Sequence, residues 1–160
     1  MASKLKLDYE YASEIPSDYR ININENKTIF NWDKALKEKI RNKKFLDLLN
    51  YFQSSEQGDI IHEWIQDEFN EYEFLDFEGL VYQDSGAERR FDAADEENLY
   101  EFKTKAHHLF EDHRNLESDY SFPLEEDLNQ VKKNLEETEY KDGVLVYIDR
   151  ETFDVEQYLI

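Results

Sequence analysis

RRFDAADEENLYEFKTKAHHLF, residues 89–110, supports two incompatible readings. As a helix it carries an apolar stripe of Leu99, Phe102, Ala106, Leu109, His113 and Leu116, spaced as a heptad. As a strand it puts Leu99, Glu101 and Lys103 on one face and Tyr100, Phe102 and Thr104 on the other, because successive side chains alternate. The helix sends Glu101 and Lys103 to divergent faces and leaves Asp92 without a partner. The strand gathers the charged residues at one end of a sheet. Residues 98–104 are therefore read as a strand, DEEN before it as a turn, and any helix begins only after Lys105.

Working outward, KLKLDYEY (4–11) alternates like a strand, and RININENKTIF (20–30) reads as a hairpin with a polar tip. From Trp32 to Phe52, the residues Leu36, Ile40, Phe45, Leu48, Leu49 and Phe52 fit one helix face. The opposite face carries Lys34, Lys37, Lys39, Arg41, Lys43 and Lys44, a basic patch on which a phosphate backbone can rest. Gly58 reads as a break, with Asp59 as N-cap of a helix through Phe69. FLDFEGLVYQ (74–83) reads as a strand, and the aromatic set Tyr72, Phe74, Phe77 and Tyr82 as core rather than a base-stacking platform. Leu124, Leu128, Val131 and Leu135 make an amphipathic helix after Pro123. GVLVYID (143–149) has the unbroken apolarity of a central strand buried on both faces, and TFDVEQYLI supplies a last strand.

A chain of 160 residues, 39% apolar and 15% aromatic, is long and apolar enough to bury one core despite its 36% of charged residues. The absence of cysteine excludes disulfides, iron–sulfur clusters and thiolate zinc sites. With no secretory signal and no apolar run of membrane-spanning length, a soluble cytoplasmic protein is expected. The formal charge of −20 repels nucleic acid at long range and favours cationic partners. It has two readings, a solvated acidic surface and a mimic of DNA charge.

From residue 59 the expected order is helix, strand, strand, strand, helix, strand. Five segments placed on it together resemble the PD-(D/E)XK nuclease superfamily, in its RecB-like branch: GDIIHEWIQDEF, RRFDA, YEFKTK, LNQVKKNL and GVLVYIDRET. The resemblance covers residues 58–160 and implies an α/β (mixed α+β) restriction-endonuclease-like core, a central mixed sheet flanked by helices. Residues 1–57 form an N-terminal extension of hairpin and helix within one compact unit. It also implies roles. His62, Asp92, Glu101 and the backbone carbonyl of Phe102 would hold Mg²⁺ or Mn²⁺, hard cations suited to oxygen donors. Asp92, Glu101, Lys103 and Gln130 would be catalytic, with Lys103 orienting or deprotonating a water or stabilising the phosphorane charge. Phe91 precedes Asp92 where the superfamily often has proline, and Asn134 or Leu135 stands where the branch often has tyrosine.

The expected activity is metal-dependent hydrolysis of DNA, with Arg89, Arg90 and Lys105 at the substrate and a protein partner or homodimer as the other associate. His107, His108 and His113 are read as surface groups near the mouth of the site, although His107 and Glu111 share helical i, i+4 spacing. The alternative function is a non-catalytic acidic inhibitor that imitates DNA. In that case Asp92, Glu101 and Lys103 would not converge.

Overall fold

A computed structural model describes residues 15–40, 44–77, 80–82, 88–90 and 92–160, with the backbone alone at 80–82 and 88–90. The expected strand at 4–11 lies outside them, as do Arg41 and Lys43 of the basic patch. Three sheets form. The hairpin β1 (Arg20–Asn24) and β2 (Lys27–Phe30) makes the first. The central five-stranded sheet runs in the order β3 (Asp76–Phe77), β6 (Ala93–Ala94), β7 (Asn98–Lys105), β8 (Asp142–Asp149), β9 (Val155–Leu159). The third pairs β4 (Leu80–Tyr82) with β5 (Glu88–Arg90). All pairings are antiparallel except β7 with β8. A parallel pair needs a crossover. Here it is built from α4 (His107–Arg114) and α5 (Glu125–Glu136), which cover one face of the sheet.

The opening stretch is thus a strand across the disputed segment, and the helix begins after it, as read. Tyr100 and Phe102 enter the larger core with Phe30, Trp32, Ile61, Ile65 and Phe69, alongside Val144, Val146 and Ile148 of β8. Leu145 and Tyr147 point the other way, to Phe110, Phe122 and Val131. β8 is buried on both faces as its apolar run requires. Tyr72, Phe74 and Phe77 pack against the larger core, in keeping with their reading as core residues.

The hairpin belongs to the same core. The Tyr100 hydroxyl accepts from Phe30 N at 2.9 Å and donates to Asp95 Oδ2 at 2.5 Å. Asp95 in turn closes the DEEN turn by accepting from Glu97 N and Asn98 N. On the far edge, Gln157 of β9 bonds Trp32 N at 2.6 Å and Phe30 O at 2.8 Å, so the hairpin–helix junction covers that edge.

Three boundaries differ from the sequence reading. The helix expected over Trp32–Phe52 is two, α1 (Trp32–Lys39) and α2 (Lys44–Leu49). Phe45 stacks on Trp64 at 4.6 Å, which draws the second segment onto the next helix rather than along the axis of the first. That next helix, α3 (Ser54–Phe69), starts six residues earlier than expected, with Gln53 rather than Asp59 as N-cap. Gly58 lies inside it for a packing reason: a Cβ there would stand 3.0 Å from Thr104 Oγ1 of β7, so helix and strand backbones approach closely. Finally, the single strand expected at 74–83 becomes β3 and β4, which pair with different partners.

A second close approach gives a stability prediction. A Cβ on Gly143 of β8 would lie 2.4 Å from Val131 Cγ1 of α5, and a β-branched side chain has little rotamer freedom to withdraw. Gly143→Ala is expected to destabilise the fold by about 1–3 kcal/mol through overpacking. Urea denaturation measures it, and an unchanged midpoint contradicts it.

Candidate active site

β6 is only two residues long and pairs with β7 at Tyr100 and Leu99. Among the described residues no strand pairs with β7 on that side beyond Tyr100, and the N–H and C=O of Phe102 point the same way. Asp92, just before β6, continues the ladder with its side chain: Phe102 N donates to Asp92 Oδ2 at 2.7 Å. The Phe102 carbonyl is met by His62 Nε2 of α3 at 3.2 Å, and the same nitrogen lies 3.5 Å from Asp92 Oδ2. That second distance is a charge contact rather than a hydrogen bond. The other ring nitrogen of His62, Nδ1, faces the carbonyl of Gly58 one turn back at 2.8 Å.

Both nitrogens of His62 therefore face carbonyl oxygens, which accept and cannot donate, so both must carry protons. Burial acts most strongly on this ring and disfavours the charge. The Asp92 carboxylate and the carbonyls of Gly58 and Phe102 outweigh it and lift the imidazole to about 9.

On the α5 side of the strand, Glu101 is 4% exposed. Asn134 Nδ2 donates to its Oε2 at 3.2 Å, and Gln130 Nε2 stands 3.5 Å from its Oε1. Lys103 Nζ donates to Gln130 Oε1 at 2.6 Å. Burial first, and the Asp92 carboxylate second, push Glu101 up to about 8 against the pull of Lys103 and His62. His62 and Glu101 thus each hold a proton at neutral pH, where a cation would otherwise balance the charge.

The donors that could hold a hard divalent cation are His62 Nε2, the Phe102 carbonyl and Asp92 Oδ2. Donor atoms around an octahedral Mg²⁺ at about 2.1 Å stand about 3 Å apart. The separations of 3.2 and 3.5 Å around His62 Nε2 approach that value. A ligating histidine commonly gives its other N–H to a backbone carbonyl, the part that Gly58 plays here. Glu101, held toward Asn134 and Gln130, makes the set of three side chains looser than a closed metal cage.

His62, Asp92, Glu101, Phe102, Lys103 and Gln130 are therefore gathered in one place. Asn134 was not among the expected residues, yet it bonds Glu101, and its i+4 spacing from Gln130 was the signal available. The expected substrate contacts are less favourable. The side chains of Arg89 and Arg90 lie outside the described residues. Lys105 Nζ is 3.9 Å from Asp127 Oδ2 and over the Tyr147 ring, so an acidic neighbour already offsets its charge. The basic patch is divided in the same way: Lys37 pairs with Asp33 and Asp154, and Lys39 with Glu71.

Two of the other histidines have defined places. His113 bridges Glu156, Tyr158 and Phe122 N within the packing under α4. His107 bonds Asp149 at 2.7 Å. Among the described residues, His107, Asp149 and Glu151 form a His/carboxylate set whose donor atoms all fall within 4.8 Å of one another.

No family model matches the chain, and no curated protein does. Among solved structures it is similar to one titled "Crystal structure of SSO0001", with 18% identity over 96% of this chain and 76% of that one, at a TM-score of 0.48. Among the described residues no helix is long and apolar enough to cross a membrane.

Proposed function

We propose that the protein is a metal-dependent nuclease that hydrolyses phosphodiester bonds in DNA. The observation that carries this reading is the convergence of His62, Asp92, Glu101 and the Phe102 carbonyl around one stretch of β7, with Lys103 on the same strand face as Glu101. A Mg²⁺ or Mn²⁺ ion bound there would polarise a phosphate oxygen and lower the pKa of a coordinated water. The residues do the remaining work. Asp92 holds the edge of β7 in register while presenting its carboxylate. Gly58 fixes the tautomer of His62 through Nδ1. Gln130 positions the Lys103 amine through a direct hydrogen bond and stands 3.5 Å from Glu101. Lys103 would face the negative charge that builds on the phosphoryl oxygens as the water oxygen bonds to phosphorus and the P–O bond to the leaving oxygen opens, the proton lost by the water passing through solvent to the leaving oxygen.

An acidic DNA mimic is the competing reading of the −20 charge. It expects carboxylates dispersed over the surface and Asp92, Glu101 and Lys103 apart, and the convergence weighs against it. The test is cleavage of labelled linear and circular DNA, single- and double-stranded, with Mg²⁺ or Mn²⁺ at low salt, beside Asp92→Asn. Metal-dependent cutting that Asp92→Asn abolishes is the expected result. A folded wild-type protein that neither cuts nor binds either metal would overturn the reading.

A further inference from the structure

A second cluster of donors lies at the other end of the same strands. Asp149, the last residue of β8, is fully buried. Its Oδ1 accepts from Glu151 N at 2.9 Å and Thr152 N at 3.3 Å, which fixes the carboxylate in the β8–β9 turn. Its Oδ2 lies 2.7 Å from Nδ1 of His107, the first residue of α4. An ionised carboxylate only accepts, so Nδ1 carries the proton and Nε2 is turned outward. Glu111, one helical turn along, brings Oε1 to 3.7 Å from that Nε2. Glu151 adds a carboxylate oxygen within 4.8 Å of His107 and Asp149. His107, Glu111 and Glu151 line a cleft of about 370 Å³ between the starts of α3 and α4 and the β8–β9 turn, with Asp149 buried behind it. Arg150, on the same cleft, is directed to the Ser54 carbonyl at 3.1 Å.

An exposed ion pair would not need a fully buried aspartate anchored by two backbone N–H groups. A metal-ligating imidazole does use one: the carboxylate takes the proton of one ring nitrogen, fixes the ring and raises the basicity of the other. We propose that His107 Nε2 and Glu111, with Glu151, form a second divalent-cation site, for which Asp149 is the orienting partner. One imidazole with carboxylates suits zinc and its first-row neighbours. A cation there ties the start of α4 to the β8–β9 turn. The site is independent of the nuclease reading, since it uses none of the residues at Phe102.

The test is calorimetric titration of Zn²⁺ into the full chain under a large excess of Mg²⁺, which occupies scattered surface carboxylates. It is done in the His62→Ala background so that the candidate active site does not contribute. One Zn²⁺ equivalent is expected to remain there. Adding Glu111→Gln should weaken it at least about tenfold, and adding His107→Ala should remove it. Glu111 is largely exposed, so its substitution leaves the fold intact and keeps the test decisive if the His107 variant unfolds. Zn²⁺ affinity unchanged by Glu111→Gln in a folded protein overturns the chelate, as does the absence of any Zn²⁺ equivalent in the His62→Ala background.

Discussion

Replacing Lys103 by alanine is expected to slow DNA cleavage by about 10²- to 10³-fold while leaving metal affinity no weaker than in the wild type, the size of loss typical for a group that meets transition-state charge. Lys103 stands two residues beyond Glu101 on the same strand face, and its amine is fixed by Gln130 at 2.6 Å. It is not among the donors to the cation. Its removal takes away a positive charge near them, which, if anything, makes the site more attractive to a divalent ion. Asp92→Asn behaves in the opposite sense. The amide can still stand at the edge of β7, but the charge next to His62 is gone, so metal affinity and rate fall together. Single-turnover rates at saturating metal, measured beside metal titrations, separate the two variants. A Lys103→Ala enzyme that cuts at the wild-type rate would reduce Lys103 to a structural partner of Gln130.

The residues that the structure gathers here were legible in the sequence because β7 breaks the ordinary pattern of a packed strand. β7 carries Glu101 and Lys103 on a face that packing alone would fill with apolar groups, as Leu145 and Tyr147 fill it on β8. That same departure made the segment look helical, since polar residues at strand positions left an apolar subset whose heptad spacing is an accident of composition. The amphipathic helix after Pro123 was plain from its period, and the central strand from its unbroken apolarity. What the sequence hid depends on distance between elements. Gly58 reads locally as a helix breaker, and only the approach of Thr104 explains a glycine inside α3. The division of α1 from α2 follows from Phe45 meeting Trp64, a contact between residues 19 positions apart. Asn134 lies one turn beyond Gln130 on α5, but its role depends on Glu101 being opposite. The lysines of the basic patch met acidic partners from the β8–β9 turn and from the segment after α3, which no inspection of a single helix face reveals.

Metal affinity at this site should rise steeply with pH, by up to about a hundredfold per unit below pH 8, and level off only above about 9. The sign follows from the two groups that are lifted. In the metal-free fold Glu101 holds its proton up to about 8 and His62 to about 9. A cation requires both in their deprotonated forms, so below pH 8 its binding releases two protons, and each released proton contributes a factor of ten per pH unit. Between 8 and 9 only the His62 proton remains to be displaced, and the slope halves on a logarithmic scale. Stability of the metal-free protein runs the other way. Both folded-state values lie above their ordinary values of 4.5 and 6.5, so the unfolded chain releases these protons first. Their contribution to stability is complete at low pH and is lost as pH rises through 8 and then 9. Excess Mn²⁺ should therefore raise the melting temperature little at pH 6 and most at pH 9. Proton release on Mn²⁺ binding, read by calorimetry in buffers of different ionisation enthalpy, checks the stoichiometry. Glu101→Gln should leave a single released proton, from His62, because the amide at 101 has none to give. A wild-type protein that releases no proton on binding Mn²⁺ would place the cation away from both residues.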